Sequence, residues 1–260
     1  MNEIRVGIHQ HDGAGLAPVQ RLADLATAIA DQQLDLVICP ELFMSGYNVG
    51  TDLHKLAEPI DGAFARAVAD LANQTGTAVC YGYPQRDGQA VYNSALVVSG
   101  CGEVIANHRK LAIPPGFEQD YFVPGDQLTL FDLQGFRCAL VICYDVEFPE
   151  IVRAACMAGA DLVIVPTALG EQWVQVARSV VPARAFENGC FVAYANHAGA
   201  EGDITYAGAS CIVDPVGLDM ARAGTGPQLI SATLARSRVA VARERLPYFA
   251  DLEALRPKLA

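Results

Sequence analysis

The feature that most constrains the fold is a set of three short runs made only of apolar residues. They are Leu36–Cys39, Leu140–Cys143 and Leu162–Val165, and a polar side chain follows each within a few residues. Runs of this length, bounded by polar or turn residues, are typical of strands that are buried on both faces. A sheet built from such strands needs cover on both sides, which helices on one face and a second sheet on the other would supply.

Longer segments with apolar residues at helical spacing alternate with the strand-like runs. They predict helices over 17–33, 62–76, 149–160 and 171–189. Pro182 should kink or break the last of these, because proline has no amide hydrogen to donate. Two further runs flank a Gly-Cys-Gly turn and predict an antiparallel hairpin. With no linker or low-complexity tract, we predict one domain over residues 1–260, of α/β class with mixed sheets.

Charge and cysteine usage limit the classes of partner. The formal net charge is −11, which argues against nucleic acid as a partner because its phosphates would be repelled. No basic amphipathic stretch indicates a membrane surface, and the N-terminal segment lacks the apolar core of a signal peptide. The eight cysteines form no CxxC pair and most lie inside apolar runs, which is typical of buried thiols in a reducing compartment. These features predict a cytoplasmic protein.

Polar groups at the ends of the three apolar runs point to a possible site. Ligands bind to α/β sheets at the carboxyl ends of the strands. Glu41, Cys143 and Thr167 follow the three runs, so we expect them to lie close together if the strands are neighbours.

The two cysteines at these strand ends differ in the residue that follows. A thiol that attacks a carbonyl carbon needs hydrogen-bond donors for the oxyanion, commonly including the next backbone N–H. Pro40 after Cys39 has no N–H, whereas Tyr144 after Cys143 has one. Cys143 is therefore the better candidate nucleophile and Glu41 the better base. The alternative for either cysteine is a role as a small core residue.

The oxyanion would also require a positive charge. Lys110 at the end of a strand-like run could supply it, and Glu118 is available to orient its ammonium group. The alternative for Lys110 is an ordinary surface cation.

Three motifs then resemble a known family. The segments CPELFMSGY, HRKLAIP with FEQDYF, and ICYDVEFPE are together similar to the nitrilase superfamily of carbon–nitrogen hydrolases, and the resemblance extends over nearly the whole chain. It implies a four-layer αββα sandwich, a homodimer or higher homo-oligomer, and no metal or organic cofactor. It also implies site roles: Glu41 as base, Lys110 as oxyanion stabiliser, Cys143 as nucleophile and Glu118 as support for the lysine.

The resemblance extends to one branch of the superfamily, the aliphatic amidases of 5-aminopentanamidase type. Nitrilases proper usually carry Trp-Glu after the cysteine, and Tyr144-Asp145 here favours amides over nitriles. We therefore expect an amidase for small aliphatic carboxamides, with ω-amino carboxamides among the candidates. The alternatives are nitrile hydrolysis and N-carbamoyl amine hydrolysis. A catalytically silent interaction protein on the same fold is harder to reconcile with four intact site residues.

Four residues are candidates for substrate binding. Glu147 stands where superfamily members acting on dicarboxylate monoamides commonly carry arginine, so it would attract a substrate ammonium group and repel a carboxylate. Its alternative role is a glutamate in the first turn of the helix that follows. Tyr47 and Trp173 are candidate pocket walls, or else packing residues. Tyr144 would contribute its backbone N–H. Arg184 and Glu187 are not among these candidates and are expected to form a structural ion pair.

Overall fold

A computed structural model describes residues 3–259 of the chain. The strands, in chain order, are β1 (Glu3–Gln10), β2 (Leu36–Ile38), β3 (Ala78–Asp87), β4 (Ala90–Val98), β5 (Val104–Arg109), β6 (Thr129–Leu133), β7 (Phe136–Leu140), β8 (Leu162–Pro166), β9 (Phe191–Ala195), β10 (Ala200–Glu201), β11 (Ile204–Thr205), β12 (Cys211–Val213), β13 (Asp219–Arg222) and β14 (Gln228–Ala235).

The helices lie between and after these strands. They are α1 (Pro18–Ile29), α2 (Asp52–Leu56), α3 (Ala63–Thr75), α4 (Glu118–Tyr121), α5 (Pro149–Met157), α6 (Val181–Asn188), α7 (Ser237–Arg245) and α8 (Tyr248–Leu259). Two short 3-10 turns, Cys143–Glu147 and Glu171–Trp173, and a π-helical turn over Val176–Val180 complete the regular structure.

The strands form two six-stranded mixed sheets and one small hairpin. The first sheet has the order β14-β1-β2-β3-β4-β5 and the second the order β13-β12-β9-β8-β7-β6. In the first, β2 is parallel to β1 and β3; in the second, β8 is parallel to β7 and β9. The hairpin pairs β10 with β11.

The hydrophobic clusters place the two sheets face to face between layers of helices. Ile38 and Leu140, from the first and second sheet, belong to the cluster between the sheets. The opposite face of β2, at Val37, packs with α1 and α3, and the outer face of β8, at Val163, packs with α5 and α6. The predicted four-layer αββα sandwich with mixed sheets is confirmed. Strands β2, β7 and β8 read as unbroken apolar runs because each is covered on both faces.

The local predictions agree with the structure at the turns and differ from it at the helix ends. The helix over 62–76 is α3, which ends at Gly76 in the left-handed conformation that glycine adopts without strain. The Gly-Cys-Gly turn joins β4 and β5 as an antiparallel hairpin. The helix predicted over 17–33 is too long: it ends at Ile29, and Gln33 has a φ of +49°, which helical backbone does not permit.

The segment predicted as a helix with a break at Pro182 divides into three pieces. A 3-10 turn and the π-helical turn precede α6, and Pro182 lies in the first turn of that helix. Proline is tolerated there because the first amide groups of a helix have no partner within it. The proline therefore lies where the π-helical turn gives way to α6, and the backbone at Val180 and Val181 stays helical between them.

Among residues 3–259, no helix is both long enough and apolar enough to span a membrane.

Candidate active site

Cys143 begins a single helical turn three residues after the end of the second-sheet strand β7. Its φ is +47°, a left-handed value that costs non-glycine residues free energy and that is found in proteins mainly at functional positions. The side chain is almost fully buried and lines a cavity of about 520 Å³. The fold thus holds this thiol in a strained turn at the base of a cavity.

Glu41 follows β2 in the facing sheet and is fully buried. Its N–H donates to the carbonyl oxygen of Thr167 at 3.3 Å, and His197 Nε2 donates to its carbonyl oxygen at 2.7 Å. The expectation that Glu41, Cys143 and Thr167 meet through neighbouring strands is correct only for β7 and β8. Glu41 reaches the site from the other sheet, because β2 lies between β1 and β3 and faces the second sheet across the core.

Lys110 is a buried cation and not a surface residue. It follows β5, and its Nζ donates to Glu41 Oε1 at 2.7 Å and to both carboxylate oxygens of Glu118 at 2.8 Å. The exposed fraction of each of the three side chains is at most 1%. The ammonium thus lies between two carboxylates. This arrangement fits Glu118 as the residue that orients the ammonium and Glu41 as the residue that reacts.

Two further side chains hold the carboxylates in place. Tyr47 donates its hydroxyl hydrogen to Glu118 Oε1 at 2.6 Å. Asn93 donates from Nδ2 to Glu41 Oε1 at 2.6 Å and to Glu118 Oε2 at 3.2 Å. The sequence indicates Tyr47 only as a pocket wall or a packing residue, and it does not point to Asn93. The available signal was a polar pair, Asn93-Ser94, inside the otherwise apolar strand β4.

Burial and charge set the protonation of this group. Burial raises the pKa of Glu41, and the Lys110 ammonium opposes that rise. Burial alone would lower the pKa of Lys110, but the two carboxylates raise it above its ordinary value, so the lysine stays charged.

The thiol is in the opposite situation. Burial, Glu41 and Glu118 raise the pKa of Cys143 well above its usual value, against the effect of Lys110 and of a hydrogen bond from the Ala168 backbone. Cys143 is thus a protonated thiol at neutral pH and needs a base. Within the described chain, Glu41 Oε2 is buried and has no hydrogen-bond partner, which leaves it free to accept a proton.

The cavity in front of Cys143 is mostly apolar. The four residues predicted to bind substrate all line this cavity: Tyr47, Tyr144, Glu147 and Trp173. Trp173 is 62% exposed, so it stands at the mouth and is not a core packing residue. The other walls include Pro114, Pro115, Phe117, Leu169 and Ile204.

Glu147 is the only acidic residue among the described cavity walls, and no basic residue accompanies it. It is half-buried, and burial raises its pKa against the effects of Lys110 and Arg184. The alternative role, in the first turn of α5, belongs to Glu150 instead, since Glu147 precedes that helix.

Arg184 supports the turn that carries Cys143 and Glu147. It donates from Nε to the carbonyl oxygen of Val146 at 3.0 Å and from Nη2 to that of Glu147 at 2.6 Å. The predicted ion pair with Glu187 is also present, at 3.1 Å. The pair therefore orients an arginine that binds the backbone of the site.

We expect Gly82→Ala to disturb Glu41 more than any other part of the fold. A Cβ atom at Gly82 would lie 2.2 Å from Leu42 N and 2.7 Å from Glu41 Cα, and these backbone atoms cannot rotate away. A displacement of the base by a fraction of an ångström should lower kcat for the amide hydrolysis anticipated from the sequence by about tenfold or more.

The control is Gly226→Ala, where an added Cβ meets no atom within 4 Å. Steady-state kinetics and thermal unfolding of both variants measure the effect. Unchanged kcat in a folded Gly82→Ala protein would show that the backbone at Glu41 tolerates the shift.

The chain is similar to known proteins over nearly its whole length. A family model described as carbon-nitrogen hydrolase matches residues 11–244. A Pseudomonas protegens protein named "Hydrolase in pqqF 5'region" is 41% identical over 90% of this chain and 82% of its own length. An (R)-stereoselective amidase from a Pseudomonas species is 33% identical over 87% of this chain and 82% of its own length.

Solved structures of an amidase from Nesterenkonia sp. AN1 superpose on the fold. A variant in complex with butyramide gives a TM-score of 0.84 at 32% identity and covers 94% of this chain and 95% of its own. Another carries the acetamide moiety of fluoroacetamide on its active-site cysteine; it gives a TM-score of 0.84 at 33% identity, over 91% of this chain and 92% of its own. The chain therefore belongs to the carbon–nitrogen hydrolase family and is an enzyme of the amidase group in the nitrilase superfamily.

Proposed function

We propose that the protein hydrolyses small aliphatic carboxamides, ω-amino carboxamides among them, to a carboxylic acid and ammonia through a thioester on Cys143. The observation that carries this proposal is the buried ammonium of Lys110 between Glu41 and Glu118, next to a protonated thiol at the base of a cavity. These groups supply a nucleophile, a base and a fixed positive charge, and no conformational change is needed to bring them together.

In the first step the thiol attacks the amide carbon. Glu41 Oε2 accepts the thiol proton as the sulfur bonds to the carbonyl carbon, and the carbonyl oxygen takes up the electron pair. The ammonium of Lys110 and the backbone N–H of Tyr144 stabilise this oxyanion. Because Lys110 is already charged and held by two carboxylates, it needs no reorganisation as negative charge develops.

In the second step the carbon–nitrogen bond breaks. Glu41, now protonated, gives its proton to the amide nitrogen, and ammonia leaves as the oxyanion collapses to the thioester. Glu41 then removes a proton from water, which attacks the thioester carbon. The carboxylic acid departs and the sulfur regains its proton from Glu41, which returns the enzyme to its starting state.

Glu118 acts on the lysine and not on the substrate. It accepts two hydrogen bonds from Lys110 and one from Tyr47, which fixes the ammonium group. A second carboxylate here also keeps the lysine charged throughout the cycle. Glu118 is therefore proposed as a support residue.

The choice of amides is supported by the relatives. One is named an (R)-stereoselective amidase and one has been solved with butyramide, a short aliphatic amide. Nitrile hydrolysis and N-carbamoyl amine hydrolysis are the second candidates, since the same thiol and ammonium could act on either carbon centre. Matched amide, nitrile and ureido substrates of equal chain length separate the three.

Glu147 is proposed to select the far end of the substrate. It is the acidic residue of a cavity whose other described walls are mainly apolar. The nearby Arg184 pairs with Glu187 and binds the backbone carbonyl oxygen of Glu147, and it is not a cavity wall. A substrate ammonium group would be attracted there and a carboxylate repelled. This supports ω-amino carboxamides over dicarboxylate monoamides.

We also propose that the enzyme acts in the cytoplasm as a homodimer or higher homo-oligomer, with a small amide as its only other partner. All eight cysteines are free thiols and seven are buried, which fits a reducing compartment.

The central test is ammonia release from propionamide, 5-aminopentanamide and glutaramate by the wild type and by Cys143→Ala. We expect the wild type to release ammonia from the first two and the variant to lose the activity by at least about a thousandfold, because the nucleophile is gone.

Cys101→Ala is the matched control, since it removes an exposed thiol from the β4–β5 turn. It should retain full activity. Activity in Cys143→Ala equal to that of the control would overturn the thioester mechanism, and release from nitriles or ureido compounds alone would replace amides as the substrate class.

Glu147→Gln tests selection of the ammonium end. The variant should raise KM for 5-aminopentanamide about five- to tenfold, which corresponds to the roughly 1 kcal/mol of an ion pair near solvent, and leave KM for propionamide unchanged. Glu150→Gln, at an exposed residue in the first turn of α5, controls for the change in net charge. Equal effects of Glu147→Gln on both substrates would remove the proposed role.

A further inference from the structure

We propose that Asp145 is a positioning residue that fixes Lys110 relative to Cys143 by binding the backbone next to each of them. The inference rests on the proposed amide hydrolysis, for which that spacing decides how well the oxyanion is stabilised. Asp145 has no exposed surface, so it acts through these neighbours and not on the substrate.

One carboxylate oxygen binds the segment that follows Lys110. Asp145 Oδ1 accepts hydrogen bonds from Leu111 N at 3.1 Å and from Ala112 N at 2.7 Å. These are the two residues immediately after the lysine, at the point where the chain leaves β5. The direction in which the Lys110 side chain enters the site therefore depends on this oxygen.

The other oxygen binds the segment that precedes Cys143. Asp145 Oδ2 accepts from Ile142 N at 2.9 Å, and Asp145 N donates back to the carbonyl oxygen of Ile142 at 3.0 Å. His108 Nε2 lies 3.5 Å from the same oxygen. The left-handed turn at Cys143 is therefore closed by the side chain of a residue within it.

These contacts join the two sheets at the site. Lys110 extends from β5 of the first sheet and Cys143 from β7 of the second, and β5 and β7 belong to different sheets. Packing between apolar side chains allows small sliding movements, whereas three hydrogen bonds of 2.7 to 3.1 Å to one carboxylate restrict the relative position of the two segments. Asp145 thus couples the cation and the nucleophile more tightly than the core does.

Only a carboxylate satisfies all of these donors. An asparagine in the same place has one acceptor oxygen, and its amide hydrogens would face the backbone N–H groups on one side. Either the segment after Lys110 or the segment before Cys143 would then lose its partner and shift. The reaction should suffer in its chemical step, because substrate binding uses the cavity walls.

The test is Asp145→Asn beside Asp214→Asn in the full-length enzyme. Asp214 is also a buried aspartate, 2% exposed, that accepts two backbone N–H groups, from Val216 at 3.0 Å and Leu218 at 2.9 Å, in a turn away from the site. Both variants should lower the melting temperature. We expect Asp145→Asn to lower kcat for propionamide about a hundredfold with KM within about threefold of wild type, and Asp214→Asn to keep wild-type kcat.

Kinetics are measured well below the melting temperature of each protein, so that every molecule is folded. A folded Asp145→Asn enzyme with kcat within about twofold of wild type would overturn the inference, as would an equal loss in Asp214→Asn. Where Asp145→Asn does not fold, Asp145→Glu moves the carboxylate by one methylene and should lower kcat by about tenfold with KM unchanged; wild-type kcat in Asp145→Glu would also overturn it. Failure of the proposed function is recognised separately, as a wild type that hydrolyses no amide.

Discussion

The buried ammonium of Lys110 is the interaction on which the rest of the site depends. Moving a lone ammonium out of water is strongly unfavourable, and leaving one partner of a buried pair uncompensated costs about 3–5 kcal/mol. Two carboxylates surround Lys110, and Asn93 and Tyr47 donate further hydrogen bonds to three of their four oxygens, which leaves only Glu41 Oε2 without a partner in the described chain. The group carries one positive and two negative charges, so a further negative charge on Cys143 is disfavoured. Burial of the thiol, together with this excess of negative charge, raises the pKa of Cys143 and keeps it protonated until Glu41 removes its proton.

The fold brings these charges together from both sheets. Glu41 and Lys110 follow strands of the first sheet, and Cys143 follows a strand of the second. The fully apolar strands hold the sheets together over a common core, whereas Glu41, Lys110 and Cys143 lie just beyond strand ends. Asn93 reaches the two carboxylates from within β4. Left-handed residues at Leu42 and Cys143 turn the chain sharply at two of these ends. The apolar interior of these strands therefore stabilises the fold, whereas the residues at their ends carry the reactive groups.

Much of this arrangement is predictable from the sequence, for identifiable reasons. Apolar runs specified β2, β7 and β8, and the missing N–H at Pro40 separated Cys143 from Cys39, which lies in the core between β2 and the helices. The need for a positive charge at the oxyanion points to Lys110 with Glu118 beside it, the family motif assigns the same pair, and the structure places their side chains in contact. Their catalytic roles, like that of Cys143, are proposals that the kinetic experiments address.

Other features depend on contacts between residues far apart in the chain. Asn93 reads as an ordinary polar residue of a strand until Glu41 and Glu118 are placed beside it, 52 and 25 residues away. Asp145 binds backbone groups 33 and 34 residues earlier, which no local pattern encodes. The sequence also does not show that β2 belongs to a different sheet from β7 and β8. The rule that ligands bind at the carboxyl ends of strands applies to the strands of one sheet and not to two sheets in contact.

The most direct test of the account is the protonation state of Cys143 in the resting enzyme. The difference in ultraviolet thiolate absorbance between wild type and Cys143→Ala, followed across the pH range in which both stay folded, reports it. We expect no thiolate signal at neutral pH and its appearance only in alkaline solution, because burial and two carboxylates raise the pKa of this thiol. A thiolate signal at neutral pH would mean that Lys110 outweighs both carboxylates. Glu41 would then not be the base that activates the nucleophile.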